Sequence, residues 1–171
     1  MLMVMEKFKK SKLESLNSFI KELNFAKITD RKIRTTFIKL IPAVSRALNE
    51  FEEDKKKMFE TIINTIPEDR RIAYDKDNMN RNELFKKFQD SQSLDDWNEF
   101  AKVNDKFNED YKEIIEAVNQ YQEAVNSLAD EEVEFSVDSI DANDFVDAMT
   151  GLSEITTETF DLLYPIVKTT E

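Results

Sequence analysis

The chain has 171 residues and a formal net charge of −12 at pH 7, a length that suits one domain with a sizeable hydrophobic core. It contains no cysteine and no histidine, which excludes disulfides, thiolate metal sites and histidine-based catalysis. One glycine and three prolines are too few for the many tight turns of a sheet-rich protein. The composition therefore predicts a mainly α protein with long helices and few connections.

The first two predicted elements are an N-terminal helix within residues 1–28 and a long helix within residues 29–65. Apolar residues recur every three or four positions in the first, which marks one helix face. In the second they recur every seven positions, a heptad pattern that requires a partner helix. Pro42 interrupts this helix and predicts a kink or a break. The seven-residue series is Phe37, Val44, Phe51 and Met58.

The next predicted elements are a polar connection over residues 64–93, with a short helix in it, and a third helix over residues 94–130. Ser93 is the expected N-cap of this third helix. Two heptad seams joined by one connection predict a long antiparallel helical hairpin, coiled-coil-like, with Leu48 near Tyr111. The seam of the third helix consists of Phe100, Phe107, Ile114, Tyr121 and Leu128.

The last segment, residues 131–171, is predicted to form an acidic cap of one strand and two short helices. Apolar and polar residues alternate from Val133 to Val137, which is typical of a strand, and Leu2 to Met5 is the expected partner strand. With this cap, residues 1–171 are expected to form a single domain. The candidate partner-binding residues are the apolar anchors among the acids; the alternative is that they cover the end of the hairpin. These anchors are Phe145, Met149, Phe160, Leu163 and Tyr164.

Charge divides the chain into a basic start and an acidic end. Residues 1–57 carry 14 Lys/Arg against 8 Asp/Glu, whereas residues 131–171 carry 1 against 11. The basic stretch suits nucleic acid, the acidic segment or a protein partner, and the acidic segment suits ordinary solubility or mimicry of DNA phosphates. We expect no enzyme, no cofactor and no metal, because one glycine cannot build a phosphate-binding loop and no Glu-x-x-His pair exists. No apolar run reaches the ~20 residues of a membrane helix, so no membrane is expected.

The order of elements resembles a family of small tailed-bacteriophage proteins known only as a domain of unknown function. The resemblance rests on the joint Leu23-Asn24-Phe25-Ala26-Lys27, a helix with basic and then acidic residues, Phe107-Asn108-Glu109, the junction Asp130–Phe135 and the closing stretch Ile155–Leu163. It implies synthesis in the host cytoplasm and a place in the virion or its assembly. The predicted function is a non-enzymatic phage structural or assembly protein that binds another phage protein, with oligomerisation allowed. The alternative is a phage inhibitor of a host protein, such as an acidic DNA mimic.

Overall fold

The computed structural model describes residues 4–152 and 155–169, and within them the protein is mainly helical, as predicted. A short 3-10 turn at Lys10–Lys12 follows the first strand. The strands are β1 (Val4–Lys9), β2 (Glu132–Val137), β3 (Ile140–Asp141) and β4 (Val167–Lys168). The helices are α1 (Leu13–Glu22), α2 (Arg31–Ile62), α3 (Glu68–Ser91), α4 (Leu94–Asp110), α5 (Lys112–Asp130), α6 (Ala142–Met149) and α7 (Thr157–Leu163).

The chain divides into two compact units. The first unit comprises residues 1–54 and 127–171, and the second comprises residues 55–126. The expectation that residues 1–171 form a single domain stays a prediction.

A buried core in the first unit joins helices from both ends of the chain. Three aromatic contacts run through it, with ring centroids 5.9 Å apart for Phe19–Phe37, 6.3 Å for Phe37–Phe145 and 6.0 Å for Phe145–Phe160. These contacts link α1, α2, α6 and α7, so the C-terminal helices complete the core. Aliphatic side chains with 0–1% exposure pack beside the rings: Leu13, Leu16, Ile20, Ile33, Leu40, Val44 and Ile166.

The first unit also contains the predicted strand pair. β1 and β2 are antiparallel, in a register that runs from Val4↔Val137 to Lys9↔Glu132. The strand predicted at residues 133–137 is confirmed, and its partner extends to Lys9, whereas Leu2 and Met3 lie outside the described residues. The predicted N-terminal helix begins at Leu13, because residues 4–9 form β1 and residues 10–12 form the 3-10 turn. Phe8 is buried 5.5 Å from Phe135, a cross-strand aromatic contact that favours the strand.

The second unit differs most from the prediction. Residues 64–93 were expected to be a connection, but residues 68–91 form the helix α3. Residues 94–130 were expected to be one helix, but α4 ends at Asp110 and α5 begins at Lys112. The register that placed Leu48 near Tyr111 assumed a connection centred near residue 79, and that position is helical. Neither the long hairpin between α2 and residues 97–128 nor a coiled coil is confirmed.

Helix α2 continues through Pro42, so the break expected there is absent. Its first half carries the buried residues Ile33, Phe37, Leu40 and Val44. Packing of this apolar stripe offsets the roughly 3 kcal/mol cost of a proline inside a helix.

Candidate protein-binding surface

Three of the five predicted C-terminal anchors belong to the core of the first unit. Phe145, Met149 and Leu163 are 0% exposed, and Phe160 is half-buried against Phe145. Helices α6 and α7 are amphipathic. The apolar face of each helix packs in the core, and the acidic side chains lie on the exposed face. Phe145, Met149 and Leu163 are therefore covered within the first unit, and both their role in partner binding and the alternative that they cover the end of the hairpin stay predictions.

Tyr164 is the exception among these anchors, because 77% of it is exposed. It lines a shallow groove beside β1 together with Met5, Pro165 and Lys168. The Lys168 ammonium donates a 2.6 Å hydrogen bond to the carboxylate of Glu6, which is 7% exposed. Lys168 is therefore engaged within the protein, and Tyr164 contributes an exposed ring to the groove beside Met5 and Pro165.

A larger apolar surface lies in the second unit, where α3 and α4 pack as antiparallel neighbours. We call its four rings, Phe85 and Phe88 on α3 and Trp97 and Phe100 on α4, the aromatic cluster. The ring centroids are 6.3 Å apart for Phe85–Phe88, 5.1 Å for Phe88–Trp97, 5.6 Å for Trp97–Phe100 and 5.1 Å for Phe85–Phe100. Each pair on one helix is spaced by three residues, which places both rings on one face. The four rings thus form a closed set of contacts.

The turn between α3 and α4 brings the rings together. Gln92 adopts a left-handed conformation with φ of 52°, and its N–H donates to the carbonyl of Phe88 at 2.7 Å, which ends α3. Ser93 then caps α4, because its hydroxyl accepts the N–H of Asp96 at 3.1 Å. The N-cap role predicted for Ser93 is confirmed.

An ion pair spans the two helices beside the aromatic cluster. The Lys87 ammonium lies 2.8 Å from the carboxylate of Asp96 and 3.1 Å from that of Glu99. The hydrogen bond to Asp96 raises the pKa of Lys87, and the same bond lowers the pKa of Asp96. Lys87 and Asp96 are both charged at neutral pH, so charges of both signs lie beside the apolar rings.

The aromatic cluster is only partly covered by the protein. Phe85 is 39% exposed and Trp97 41%, and Leu94 at the start of α4 is 72% exposed. Phe88 and Phe100 are half-buried, and no residue from 75 to 106 is fully buried. This end of the α3–α4 pair therefore presents an apolar surface rather than a core.

Buried contacts at the other end of the α3–α4 pair hold the two helices together. Phe107 and Tyr111 are 3% and 5% exposed, and both pack on Tyr74 of α3, with ring centroids 5.1 and 5.5 Å away. The Tyr111 hydroxyl donates to the carboxylate of Asp77 at 2.6 Å, and this bond raises the pKa of Tyr111. The pair is thus anchored at one end and exposes its rings at the other.

Arg70 explains why α4 and α5 are separate helices. Its guanidinium donates to the carbonyl of Asp110 at 2.9 Å and to the carboxylate of Glu113 at 3.1 Å. The N–H of Ile114 bonds to the carbonyl of Tyr111 at 3.0 Å, one residue short of the α-helical partner, which is Asp110. A side chain on α3 therefore takes the place of a backbone bond, and the helix is interrupted at Tyr111.

The basic start of the chain pairs with acids of the C-terminal segment. Lys9 lies 2.9 Å from Asp130, Lys10 lies 2.7 Å from Glu131, and Lys7 lies 3.4 Å from Glu132. The hydrogen bond to Asp130 raises the pKa of Lys9. Of the partners that the sequence left open for these lysines, the acidic segment is the observed one. Nucleic-acid binding and DNA mimicry stay predictions.

Among residues 4–152 and 155–169, no group of three or more acidic side chains is arranged to hold a metal ion. In the same part of the chain, no helix is both long and apolar enough to cross a membrane.

Comparisons with known proteins were made at three levels. Neither family models, nor curated protein sequences, nor solved structures match this chain.

Proposed function

We propose that this chain is a non-enzymatic structural or assembly protein of a tailed bacteriophage and that it acts through protein–protein contacts. One observation carries the binding role: the aromatic cluster is partly exposed on a segment, residues 75–106, that buries none of its own side chains. Aromatic side chains, tryptophan above all, are enriched among the residues that dominate protein interfaces. The phage context rests on the resemblance described from the sequence.

The surroundings of the cluster suit a protein partner. Lys87, Asp96 and Glu99 lie beside the aromatic rings. An apolar centre with charged residues at its border is the usual composition of a protein interface. Tyr164 provides a second, smaller contact in the first unit. The long antiparallel, coiled-coil-like hairpin of residues 29–65 and 94–130 belongs to the same proposal. It is supported by the contact of Phe59 with Tyr121, whose ring centroids are 5.7 Å apart.

The test is incorporation into particles. Finished particles and assembly intermediates of a phage that encodes the chain are purified and analysed by quantitative mass spectrometry. We expect peptides of the chain at a fixed ratio to a major particle protein in at least one fraction. We expect the double variant Phe85→Ala/Trp97→Ala to lose most of this signal, because it removes the two exposed rings of the cluster.

Tyr164→Ala is the matched control, since it removes one exposed ring outside the cluster. It should retain most of the particle signal. Abundant peptides in infected cells with none in particles or intermediates would overturn the proposal. Equal losses in the cluster variant and the Tyr164 variant would show that the cluster is not the surface responsible.

A further inference from the structure

The rings of the aromatic cluster come from α3 and α4 alone, and a further packed element would be needed to bury them in a core. Two packed helices can cover only one face of each other, so a helix pair on its own leaves part of its apolar side chains in contact with water. In the second unit the covered part lies near Phe107, Tyr111 and Ile114, which are 3–5% exposed. Toward the turn at Gln92 no buried side chain is present between residues 75 and 106.

We propose that the aromatic cluster is the contact surface of a homodimer, in which the α3–α4 pair of one copy packs on the same pair of a second copy. The inference deepens the proposed function and rests on it only for its biological setting. Two helix pairs stacked in this way make a four-helix bundle, whose core would consist of two sets of the same four rings. A two-fold contact brings identical patches together, so each ring set meets its own copy.

Net charge favours this segment as the place where two copies meet. Each copy carries a net charge of −12, so most pairs of surfaces repel each other. Residues 75–106 contain eight acidic and six basic side chains, whereas residues 131–171 contain eleven and one. Two copies of this nearly balanced segment therefore repel each other much less than two copies of the acidic C-terminal segment do.

Charges of both signs also lie beside the aromatic cluster. The Lys87 ammonium is 2.8 Å from the carboxylate of Asp96 and 3.1 Å from that of Glu99. Each copy therefore brings an ammonium and carboxylates to the contact, and not charges of one sign only. Charges at the border of an interface mainly set orientation and specificity, while the buried rings supply most of the affinity.

The experiment measures self-association of the full chain. Sedimentation velocity is recorded from about 1 µM to about 300 µM, the range in which a micromolar Kd is visible. We expect a monomer–dimer equilibrium. Trp97 is the only tryptophan in the chain, so its emission reports on this surface directly. The emission should shift to shorter wavelength as the dimer forms, because dimerisation removes water from the indole.

A matched pair of variants locates the contact. Phe85 and Phe59 are the same residue type, both are 39% exposed, and Phe59 packs on Tyr121 outside the cluster. Phe85→Ala should raise the dimer Kd by about tenfold or more, as expected for a central aromatic contact. Phe59→Ala should leave the Kd within about twofold. Circular dichroism of both variants establishes that they fold, and Trp97→Phe, which retains a ring, should dimerise better than Trp97→Ala.

Three results would overturn the proposal: a monomer throughout the concentration range, a dimer that is equally sensitive to the two phenylalanine variants, or a dimer whose formation leaves the Trp97 emission unchanged. The first would show that the cluster binds another molecule or none. Failure of the phage function is a separate result, because a dimer with no signal in particles would sustain this inference and remove the function proposed above.

Discussion

Two sets of four aromatic residues differ in burial although their ring contacts are similar. In the first unit, Phe19, Phe37, Phe145 and Phe160 form a series with centroid distances of 5.9–6.3 Å. In the second unit, the rings of the aromatic cluster lie 5.1–6.3 Å apart. Yet Phe37 and Phe145 are 0% exposed, whereas Phe85 is 39% and Trp97 41% exposed.

The number of packed elements explains this difference. The rings of the first unit come from α1, α2, α6 and α7, so each central ring is covered from several directions. The rings of the aromatic cluster come from α3 and α4 alone. An aromatic residue therefore becomes core only where a third element covers it, and aromatic content by itself does not decide between core and binding surface.

The largest expected effect is a difference in the free energy of unfolding between two variants, with one substitution in each set of rings. Phe145→Ala should lower the free energy of unfolding by about 3–5 kcal/mol, because it leaves a cavity in a fully covered core. Phe85→Ala should cost about half of that or less, because water already reaches the ring. Both values are measured by urea denaturation at low protein concentration, where self-association does not contribute.

Equal losses for the two variants would break the comparison, since they would place Phe85 in a core. A small loss of stability for Phe145→Ala would instead indicate that Phe145 is accessible and belongs to the predicted partner-binding surface. Tyr164→Ala, at 77% exposure, serves as the reference for a side chain that stabilises the fold very little.

A smaller effect extends the comparison from rings to charges. Glu6 is 7% exposed and its carboxylate accepts a 2.6 Å bond from Lys168, whereas the Lys87–Glu99 pair beside the aromatic cluster is half-exposed on both sides. Lys168→Met should destabilise the protein by about 1–3 kcal/mol, because it leaves a buried carboxylate without its partner. Lys87→Met should destabilise the protein less than Lys168→Met, because Glu99 is exposed to water and the carboxylate of Asp96 keeps the hydrogen bond from the Ser91 hydroxyl.

The double variant Glu6→Gln/Lys168→Met checks the cause of this loss. Removing the buried charge together with its partner should recover most of the stability in thermal or urea unfolding. If the double variant is as unstable as Lys168→Met, the loss comes from packing of the lysine stem and the electrostatic explanation is wrong.

The smallest effect concerns the anchored end of the α3–α4 pair. Tyr111→Phe removes the hydrogen bond to Asp77 and should cost about 0.5–1.5 kcal/mol at neutral pH. The folded-state pKa of Tyr111 lies above its ordinary value of 10.0, so the unfolded state loses this proton first as the pH rises. The stabilisation is therefore complete below about pH 10 and is lost above it.

The measurement compares urea unfolding of the two proteins between pH 8 and pH 11. Stability of the natural protein should fall more steeply with rising pH above about 10 than that of Tyr111→Phe. Parallel curves would mean that the Tyr111 proton is not shared with Asp77 in solution.

Elements with an amphipathic pattern could be predicted from the sequence. Alternation of Val133, Phe135 and Val137 predicted β2, and heptad spacing predicted the helical state of α2 and the burial of Phe107. Each of these patterns exists because one face of the element packs against another element, and that packing requires apolar residues at regular positions.

Elements without a buried face could not be predicted in this way. Helix α3 has no buried residue, so its apolar residues predicted only a short helix within residues 64–93, and its many Asp and Asn residues are also typical of loops. The interruption at Tyr111 depends on Arg70, which lies forty residues away from Asp110 in sequence. The aromatic cluster was missed for a related reason, because Trp97 and Phe100 fit a heptad seam equally well.

The pairing of β1 with β2 has a consequence for synthesis on the ribosome. Lys9 pairs with Glu132 in the strand register. At a translation rate of ~5–20 residues per second, roughly 6–25 s pass between the synthesis of Lys9 and that of Glu132. During that time its backbone groups are open to pairing with another nascent chain. Lys7 and Lys9 lie on this strand, and like charges on two such strands oppose their association. Their ion pairs with Asp130, at the end of α5, and with Glu132, at the start of β2, form only after these residues have been synthesised.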